Sequence, residues 1–297
     1  MLADHVIMVK PSAFHFNTQT ARDNVYQSDR EDLSEEEINR RAEEEFKGLL
    51  NALRAHGVHV DVVEDFSDDT PDSVFPNNTF VTFPGRLFIS PMYSENRKRE
   101  FPKLRAQYEE LFDFDSLDVA DCSKSASVLE GTGAVVIDRF HDIGYAALSN
   151  RAERDAFEAF CRRYDLEPVA FSTLHHGAPV YHTNVIMTVA EHFAMVADSL
   201  ITEGRGEVLK HLEATGKEII SLTAEEIDHF AGNCLELSGE GPILVMAEEA
   251  YDHLAPEKIA RIERYDAIVH VPLPIISSLG GGSARCMIAE NFIDSRQ

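Results

Sequence analysis

Residues 182–196, HTNVIMTVAEHFAMV, contain one copy of the pattern that decides the fold. A polar residue, His182, precedes two short runs rich in β-branched and aromatic residues, and a polar turn separates the runs. Such runs are typical of two antiparallel strands. Similar runs follow Asn78, Glu130 and Asn233. The sequence therefore predicts that one supersecondary unit is repeated along the chain.

The repeat has a period near 52 residues. Asn78, Glu130 and His182 are 52 residues apart, and Cys286 comes 104 residues after His182, with Asn233 near the midpoint of that interval. A helical stretch and a third strand complete each unit. The predicted helices are 94–112, 151–164, 203–215 and 251–265, and Ala267–Val271 is the last of the third strands. A fixed period of this size is typical of a repeat architecture.

The fifth unit is divided between the two ends of the chain. Cys286 is predicted to begin one of its strands, and Val6–Val9 and Val58–Val62 supply two more. This unit is longer than one period, so we expect an insertion in 11–33. Because both ends join in one unit, residues 1–297 are predicted to form a single closed α/β domain with five units around a pseudo-fivefold axis.

The helix of this fifth unit has clear boundaries. Ser34 and Glu37 fit a capping box at its start, and Gly57 fits a stop at its end. One apolar face is formed by Ile38, Ala42, Phe46, Leu49 and Leu53. Within the insertion, Asn17–Asp32 is polar and has no clear periodicity, which makes it the candidate for a mobile segment.

Composition excludes several classes of function. The 297 residues are 44% hydrophobic, which is enough to fill a large core. No apolar run reaches the ~18 residues of a membrane span, and the start lacks a signal-peptide pattern. The net charge of −25 disfavours nucleic acid and anionic membranes as partners, and solvated acidic helix faces account for it most simply. Four scattered cysteines without a CxxC pair favour free thiols and a reducing cytoplasm.

The common phase of the repeat predicts an active site. If the units surround an axis, Glu130, His182 and Cys286 meet at its centre, where a cysteine thiolate is a strong nucleophile. Gly280–Gly282 allow a ligand to approach the backbone, and Arg285 adds positive charge beside the thiol. Glu130 would orient His182, and His182 would transfer protons for Cys286. Taken singly, each residue is as well explained by a structural role, so the prediction depends on the shared phase.

The segments around these residues resemble the guanidino-group-modifying enzyme (pentein) superfamily, with citrulline-utilisation hydrolases as the nearest likeness. They are Val74–Asn78, Glu95–Glu100, Leu129–Gly133, Tyr181–Val185 and Gly281–Met287. The resemblance implies a five-bladed α/β propeller, cysteine attack on a guanidino or ureido carbon, and neither a cofactor nor a metal. One departure is Thr79, because relatives often carry tryptophan at this position. The difference concerns the shape of the pocket wall and not the chemistry.

The asparagines bear on the substrate. Asn78 and Asn184 occupy positions where arginine-consuming relatives place aspartates, and Asn77 is grouped with them as substrate-binding. An amide donates and accepts, so it matches a neutral ureido group, whereas a carboxylate matches a guanidinium. The resemblance further places Arg97 and Arg151 near the residues that hold the substrate's α-carboxylate. A solvated arginine at a helix end is the alternative for each.

The predicted function is hydrolysis of citrulline to ornithine, carbon dioxide and ammonia. Arginine deimination, dimethylarginine hydrolysis and amidino transfer are the alternative reactions, and transfer is the weakest because nothing in the sequence indicates an amine acceptor site. An amino-acid-binding ring without catalysis is the non-enzymatic alternative, although a binder has no need of a thiol at this phase. The expected partner is a small ureido or guanidino amino acid, and the sequence leaves a homo-oligomer open.

Overall fold

The computed structural model describes residues 1–30 and 32–293, so Glu31 and residues 294–297 lie outside the described residues. The strands are β1 His5–Pro11, β2 His59–Asp65, β3 Phe80–Phe83, β4 Arg86–Ile89, β5 Asp118–Asp121, β6 Val136–Asp138, β7 Ile143–Ala147, β8 Glu167–Thr173, β9 Met187–Val189, β10 Phe193–Val196, β11 Ile201–Glu203, β12 Glu218–Ser221, β13 Leu235–Ser238, β14 Pro242–Ala247, β15 Ala267–Val271 and β16 Ala289–Glu290. The α-helices are α1 Glu35–Ala55, α2 Glu100–Leu111, α3 Gly131–Ala134, α4 Arg154–Arg163, α5 Arg205–Ala214, α6 Ala224–Asp228, α7 Glu248–His253, α8 Pro256–Ile262 and α9 Pro274–Gly280. Within these described ranges no helix has the length and apolar character needed to span a membrane.

The described strands form five mixed sheets with one recurring order. In each, a first strand pairs antiparallel with a second, and the second pairs parallel with a third. The five sets are β3-β4-β5, β6-β7-β8, β9-β10-β12, β13-β14-β15 and β16-β1-β2, and β11 adds to the edge of β8. Helices lie between the second and third strands, because a parallel connection needs a crossover. This is the predicted strand–strand–helix–strand unit.

Each sheet contacts the next along the chain, and the last contacts the first. Strand β16 lies against β3, α3 lies against β3, β6 lies against β9, and β9 lies against β13. The end of β13 reaches the first sheet through the Ser238 amide, which donates to the Ala3 carbonyl at 2.9 Å. In the first sheet, Val6 pairs with Glu290 and Ile7 with Ala289. The two ends of the chain therefore share one sheet, as the sequence predicts.

Helix α1 follows the predicted pattern closely. Its five buried residues are the predicted apolar face, and Gly57 has a φ of 85° just beyond the end of the helix. The Ser34 side chain accepts from the Glu37 amide, but the Glu37 carboxylate pairs with Arg40 and Arg41. Only half of the predicted capping box is therefore present.

Two predicted elements differ from the structure. The single helix expected at 251–265 is divided into α7 and α8, because Pro256 has no amide hydrogen and begins a new helix. Cys286 does not begin a strand: its amide donates to the Ser283 carbonyl at 3.0 Å in a turn, and β16 begins three residues later. These local hydrogen bonds replace the sheet ladder, so the thiol lies on a loop.

The insertion at 11–33 packs against the body of the protein. Within the described residues 12–30 and 32–33 the 3₁₀ turn Thr20–Arg22 is the only regular element, yet Phe14, Asn17, Thr20 and Asn24 are buried. The Asn24 side chain donates to the carbonyls of Gly280 and Gly281, both at 3.3 Å. The segment predicted to be mobile therefore covers the glycine loop next to Cys286.

A pair of buried carboxyl groups makes stability depend on pH. Burial and the facing Asp266 raise the pKa of Glu236 to about 8, and burial raises the pKa of Asp266 to about 6. Because the folded protein keeps protons that the unfolded chain releases, this contribution to stability is present below about pH 4 and is lost as pH rises toward 8. We expect Glu236→Gln to raise the free energy of unfolding at pH 8 by roughly 1–3 kcal/mol and to change it little at pH 5. Urea unfolding measures this, with Glu240→Gln, an exposed neighbour, as the control; equal effects of the two variants at pH 8 would contradict the assignment.

Candidate active site

The residues at the common phase occupy the same structural position in every unit. Asn78, Glu130, His182, Asn233 and Cys286 each lie shortly before the first strand of a sheet, in turns or short helices. All five are at most 2% exposed. The shared phase thus places a thiol, an imidazole, a carboxylate and amides at equivalent ends of five neighbouring sheets.

Two amides hold the sulfur of Cys286. Nδ2 of Asn184 lies 3.4 Å from Sγ, and Nδ2 of Asn233 lies 3.2 Å from it. The orientation of Asn233 is fixed because its Oδ1 accepts from the Ser283 amide at 3.1 Å. Two N–H groups directed at sulfur stabilise its anionic form, which is the nucleophilic one. The sulfur therefore contacts two hydrogen-bond donors and not only apolar core side chains.

Glu130 fixes the tautomer of His182. Its Oε2 lies 2.8 Å from Nε2 of His182, and its Oε1 accepts from the Tyr93 amide at 2.9 Å. A carboxylate only accepts, so Nε2 carries the hydrogen and Nδ1 carries the lone pair. Nδ1 has no hydrogen-bond partner among the described residues. His182 therefore presents a free base to the site.

The charge state of this pair suits base catalysis. Burial lowers the pKa of His182 to about 4, although Glu130 opposes the shift. Burial alone would raise the pKa of Glu130, but Arg151, His182 and Arg97 together lower it to about 2. At neutral pH the site consequently contains a carboxylate beside a neutral imidazole.

The two predicted arginines have different surroundings. Arg97 forms a bidentate pair with Glu100, at 2.9 and 3.0 Å, and donates to Oδ1 of Asn78 at 2.8 Å. Arg151 pairs with Asp23 of the insertion, at 2.5 and 3.1 Å. Each also places Nη1 3.8 Å from Glu130. Most N–H groups of Arg97 therefore donate to protein groups, whereas the main partner of Arg151 is Asp23, a residue of the covering segment.

Three asparagine side chains retain unused hydrogen-bonding atoms. Among the described residues, no partner is found for Nδ2 of Asn78, Oδ1 of Asn184, or either polar atom of the Asn77 side chain. All three residues are at most 2% exposed. Buried polar atoms are normally paired, so these four atoms are candidates to bind a ligand or water.

Sequence reasoning did not identify several residues that surround this site. Asp72 is buried, accepts from Asn17 and Thr20, and has an unpaired Oδ1 among the described residues. Tyr181 donates to the Gly281 carbonyl, and its ring lies 4.7 Å from the Arg151 guanidinium. Neither residue occurs at the phase of the repeat. For Glu100 the sequence did contain a signal: it follows Arg97 by three residues, a spacing at which two opposite charges on a helix can form an ion pair.

Gly133 allows the close approach of His182 and Asn78. A Cβ at this position would lie 2.7 Å from Nδ1 of His182 and would also overlap Nδ2 of Asn78. We expect Gly133→Ala to lower kcat/KM by about 100-fold, because displacement of reacting groups by ~1 Å has effects of this size. Gly48→Ala is the matched control, since a Cβ there meets no atom within 4 Å. Steady-state kinetics of both variants, with melting temperatures, provide the measurement; normal activity of the folded Gly133→Ala variant would refute the close approach.

Comparisons with known proteins identify the family and the fold of this chain. A family model described as N,N dimethylarginine dimethylhydrolase, eukaryotic, matches residues 10–293. One similar solved structure is the N-terminal domain of ArgZ, a cyanobacterial arginine dihydrolase of the ornithine–ammonia cycle, bound to its substrate. The two chains superpose with a TM-score of 0.75 and are 18% identical, and the match covers 96% of this chain and 97% of the ArgZ domain. AgrE bound to L-arginine has a TM-score of 0.78 and 18% identity, covering 96% of this chain and 40% of that one.

A third solved structure gives the same result. The dimethylarginine dimethylhydrolase of Pseudomonas aeruginosa, in complex with citrulline, has a TM-score of 0.68 and 16% identity, covering 98% of this chain and 100% of that one. At these identities the likenesses show a shared fold. No curated protein sequence matches the chain.

Proposed function

Since this chain belongs to the N,N-dimethylarginine dimethylhydrolase family of the guanidino-group-modifying superfamily, we propose that it is a cysteine-dependent hydrolase of a ureido or guanidino amino acid, with citrulline as the preferred substrate. Residues 1–297 would form one catalytic domain. Its five sheets would be the blades of an α/β propeller around a pseudo-fivefold axis. The contacts from each sheet to the next, and from the last to the first, support this arrangement.

The orientation of Asn78 carries the substrate proposal. Arg97 has only donors, so the atom of Asn78 that contacts it must be Oδ1, which leaves Nδ2 as the free group. A free N–H matches the carbonyl oxygen of a ureido group. A guanidinium carries only donors and would place donor against donor. Oδ1 of Asn184, beside the sulfur, is the complementary acceptor for a ureido N–H.

The proposed reaction proceeds through a covalent intermediate. The thiol proton of Cys286 passes to Nδ1 of His182 through the bound substrate or a water, because the two groups are not in direct hydrogen-bond contact, and sulfur attacks the ureido carbon. His182 returns this proton to the leaving nitrogen as the C–N bond breaks, which releases ornithine and leaves an S-carbamoyl enzyme. Nδ1 then takes a proton from water, and the hydroxide adds to the carbamoyl carbon and displaces the thiolate, which regains its proton from His182. The released carbamic acid decomposes to carbon dioxide and ammonia. Glu130 stabilises the imidazolium that forms twice in each cycle.

Arg151 is the better of the two candidates for the substrate's α-carboxylate. Its bidentate partner, Asp23, belongs to the covering insertion and presents a carboxylate to the guanidinium. A substrate carboxylate can make the same two hydrogen bonds when Asp23 moves away. Arg97 would instead orient Asn78 and balance the charge of Glu130. Asn77 would contact the substrate through its unused amide.

A second candidate is complete hydrolysis of arginine to ornithine. Carboxyl groups near the site favour it: burial raises the pKa of Glu100 to about 8 and also raises that of Asp72, so a bound cation would favour the charged forms of both, and Oδ1 of Asp72 is unpaired within the described part of the chain. Nearby carboxylates stabilise a bound cation. The structural likeness to an arginine dihydrolase agrees with this candidate. Cysteine attack on arginine would first release ammonia, and water would then displace sulfur from the covalent intermediate to give a ureido group. A second cysteine attack on that group would follow the steps above.

Asn78→Asp tests the choice of substrate. The aspartate would place a carboxylate oxygen where Nδ2 lies, so it would lose the donor to the ureido oxygen and gain an acceptor for a guanidinium. We expect kcat/KM for citrulline to fall about five- to 150-fold, the cost of one buried hydrogen bond, while that for arginine holds or rises. Ornithine, citrulline and ammonia should be quantified at one fixed salt concentration, because the net charge of −25 attracts arginine.

The same assay separates the alternatives. Ornithine from citrulline supports the proposal, ornithine from arginine with little activity on added citrulline supports the second candidate, and citrulline as the end product of arginine indicates a deiminase. Dimethylarginine should be included as a third substrate. An equal loss for all substrates in Asn78→Asp would contradict the role given to Nδ2.

A further inference from the structure

A cluster of metal-ligating side chains lies outside the active site, on the turn after β8. His175, His176 and Asp228 each offer one ligand atom, and these three atoms lie within 4.8 Å of one another. Nε2 of His175 is 3.5 Å from Oδ1 of Asp228, and Nε2 of His176 is 2.6 Å from the same oxygen. None of these residues takes part in the proposed reaction.

The local backbone brings the two adjacent histidines to the same side. His176 has a φ of 49° and Gly177 a φ of 78°, in a tight turn closed by hydrogen bonds between His175 and Ala178. In a strand, neighbouring side chains point to opposite faces. Here the turn brings the two imidazole rings to 3.9 Å between centroids, beside the last residue of α6.

We propose that His175, His176 and Asp228 bind a divalent transition-metal ion such as Zn²⁺ or Co²⁺, and that the bound ion holds the 17–30 segment over the active site. Two imidazoles and one carboxylate are ligands that these ions accept, with water in the fourth position. Bonds of about 2.0–2.1 Å place tetrahedral ligand atoms about 3.4 Å apart, which is close to the His175–Asp228 distance. The side chains of His176 and Asp228 are 52% and 39% exposed, so they can separate by the small distance required.

A residue of the covering segment supplies the outer contact of this site. The hydroxyl of Tyr26 lies 2.8 Å from Nδ1 of His175, so a metal on Nε2 makes Nδ1–H the donor to Tyr26. Outer partners of this kind orient ligating histidines. The Tyr26 ring lies 6.0 Å from that of Tyr181, whose ring is 4.6 Å from His182. The metal site and the active site are therefore joined through two tyrosines, and Cys286 is only 2% exposed beneath the segment.

Metal titration of tag-free protein tests the site directly. Binding should be measured in a Cys286→Ser/His59→Ala background, which removes the thiol and weakens the other described cluster, His5–His59–Asp61. We expect one equivalent of Co²⁺ with visible d–d bands and no thiolate charge-transfer band. His176→Ala and Asp228→Asn should each weaken binding by at least about 100-fold, and Tyr26→Phe by about 10-fold. His211→Ala, a surface histidine elsewhere, should change nothing; equal binding by all variants would overturn the site.

Limited trypsin digestion tests the effect on the covering segment. With Cys286 intact, Zn²⁺ should slow cleavage after Arg22 and Arg30 several-fold in the wild-type protein and leave the His176→Ala rate unchanged. The same Zn²⁺ concentration should reduce turnover more in the wild type than in His176→Ala. Equal slowing of cleavage in both proteins would overturn the link between the metal and the segment. Binding and proteolysis do not depend on the identity of the substrate, so their outcome is independent of the proposed function.

Discussion

Cys286→Ser is expected to reduce kcat by about 1000-fold or more, because removal of the nucleophile from a covalent mechanism has effects of at least this size. Serine is slightly smaller than cysteine and keeps a polar atom facing the Asn184 and Asn233 amides. A neutral hydroxyl is far harder to ionise than a thiol, so the same two donors cannot produce an equivalent nucleophile. Single-turnover experiments should show no S-carbamoyl intermediate by mass spectrometry.

The other cysteines supply controls for this result. Burial raises the pKa of Cys161 to about 12, and burial with Asp121 raises the pKa of Cys122. We therefore expect Cys122→Ala and Cys161→Ala to retain most of the activity, and iodoacetamide to modify Cys286 first, at a rate that substrate reduces. A folded Cys286→Ser variant with a tenth of wild-type activity would exclude covalent catalysis.

The sequence predicted the parts of the structure that depend on local patterns. The position before the first strand of each sheet could be located from the 52-residue period, and the buried face of α1 follows from helical spacing alone. Both depend on residues that are near one another in the chain or repeat at fixed intervals. The hydrogen-bonded pair of Glu130 and His182 could also be predicted from the period, although the two residues are far apart in sequence.

The sequence could not predict the contacts that the insertion makes. The pairing of Asp23 with Arg151 joins residues 128 positions apart, and Tyr26 reaches His175 across 149 positions. Nothing periodic relates these residues, because the insertion belongs to no repeat. The turn around Cys286 was missed for a related reason: its geometry depends on the distant side chain of Asn233, which accepts from the Ser283 amide.

The charge of Glu130 should have the second-largest effect on catalysis. Glu130→Gln keeps the shape of the side chain and removes its negative charge, and its single amide oxygen can accept from Nε2 of His182 or from the Tyr93 amide, but not from both. Arg97 and Arg151, with Nη1 atoms 3.8 Å from Glu130, would then disfavour a nearby imidazolium. Because His182 must become protonated in each cycle, we expect kcat to fall by about 100- to 10,000-fold.

The pH dependence distinguishes this role from a structural one. The pKa of His182 is already lowered to about 4 by burial, and Glu130 is the group that raises it. Its removal should lower that pKa further, so any pH–rate limb due to His182 should move to lower pH in Glu130→Gln and return toward its original position in Glu130→Asp. Glu226→Gln, which removes a carboxylate paired with Lys258 outside the site, should leave the pH profile unchanged. If Glu130→Gln retains its fold and more than a tenth of wild-type kcat, Glu130 does not stabilise the imidazolium, and proton transfer must be assigned to another pair.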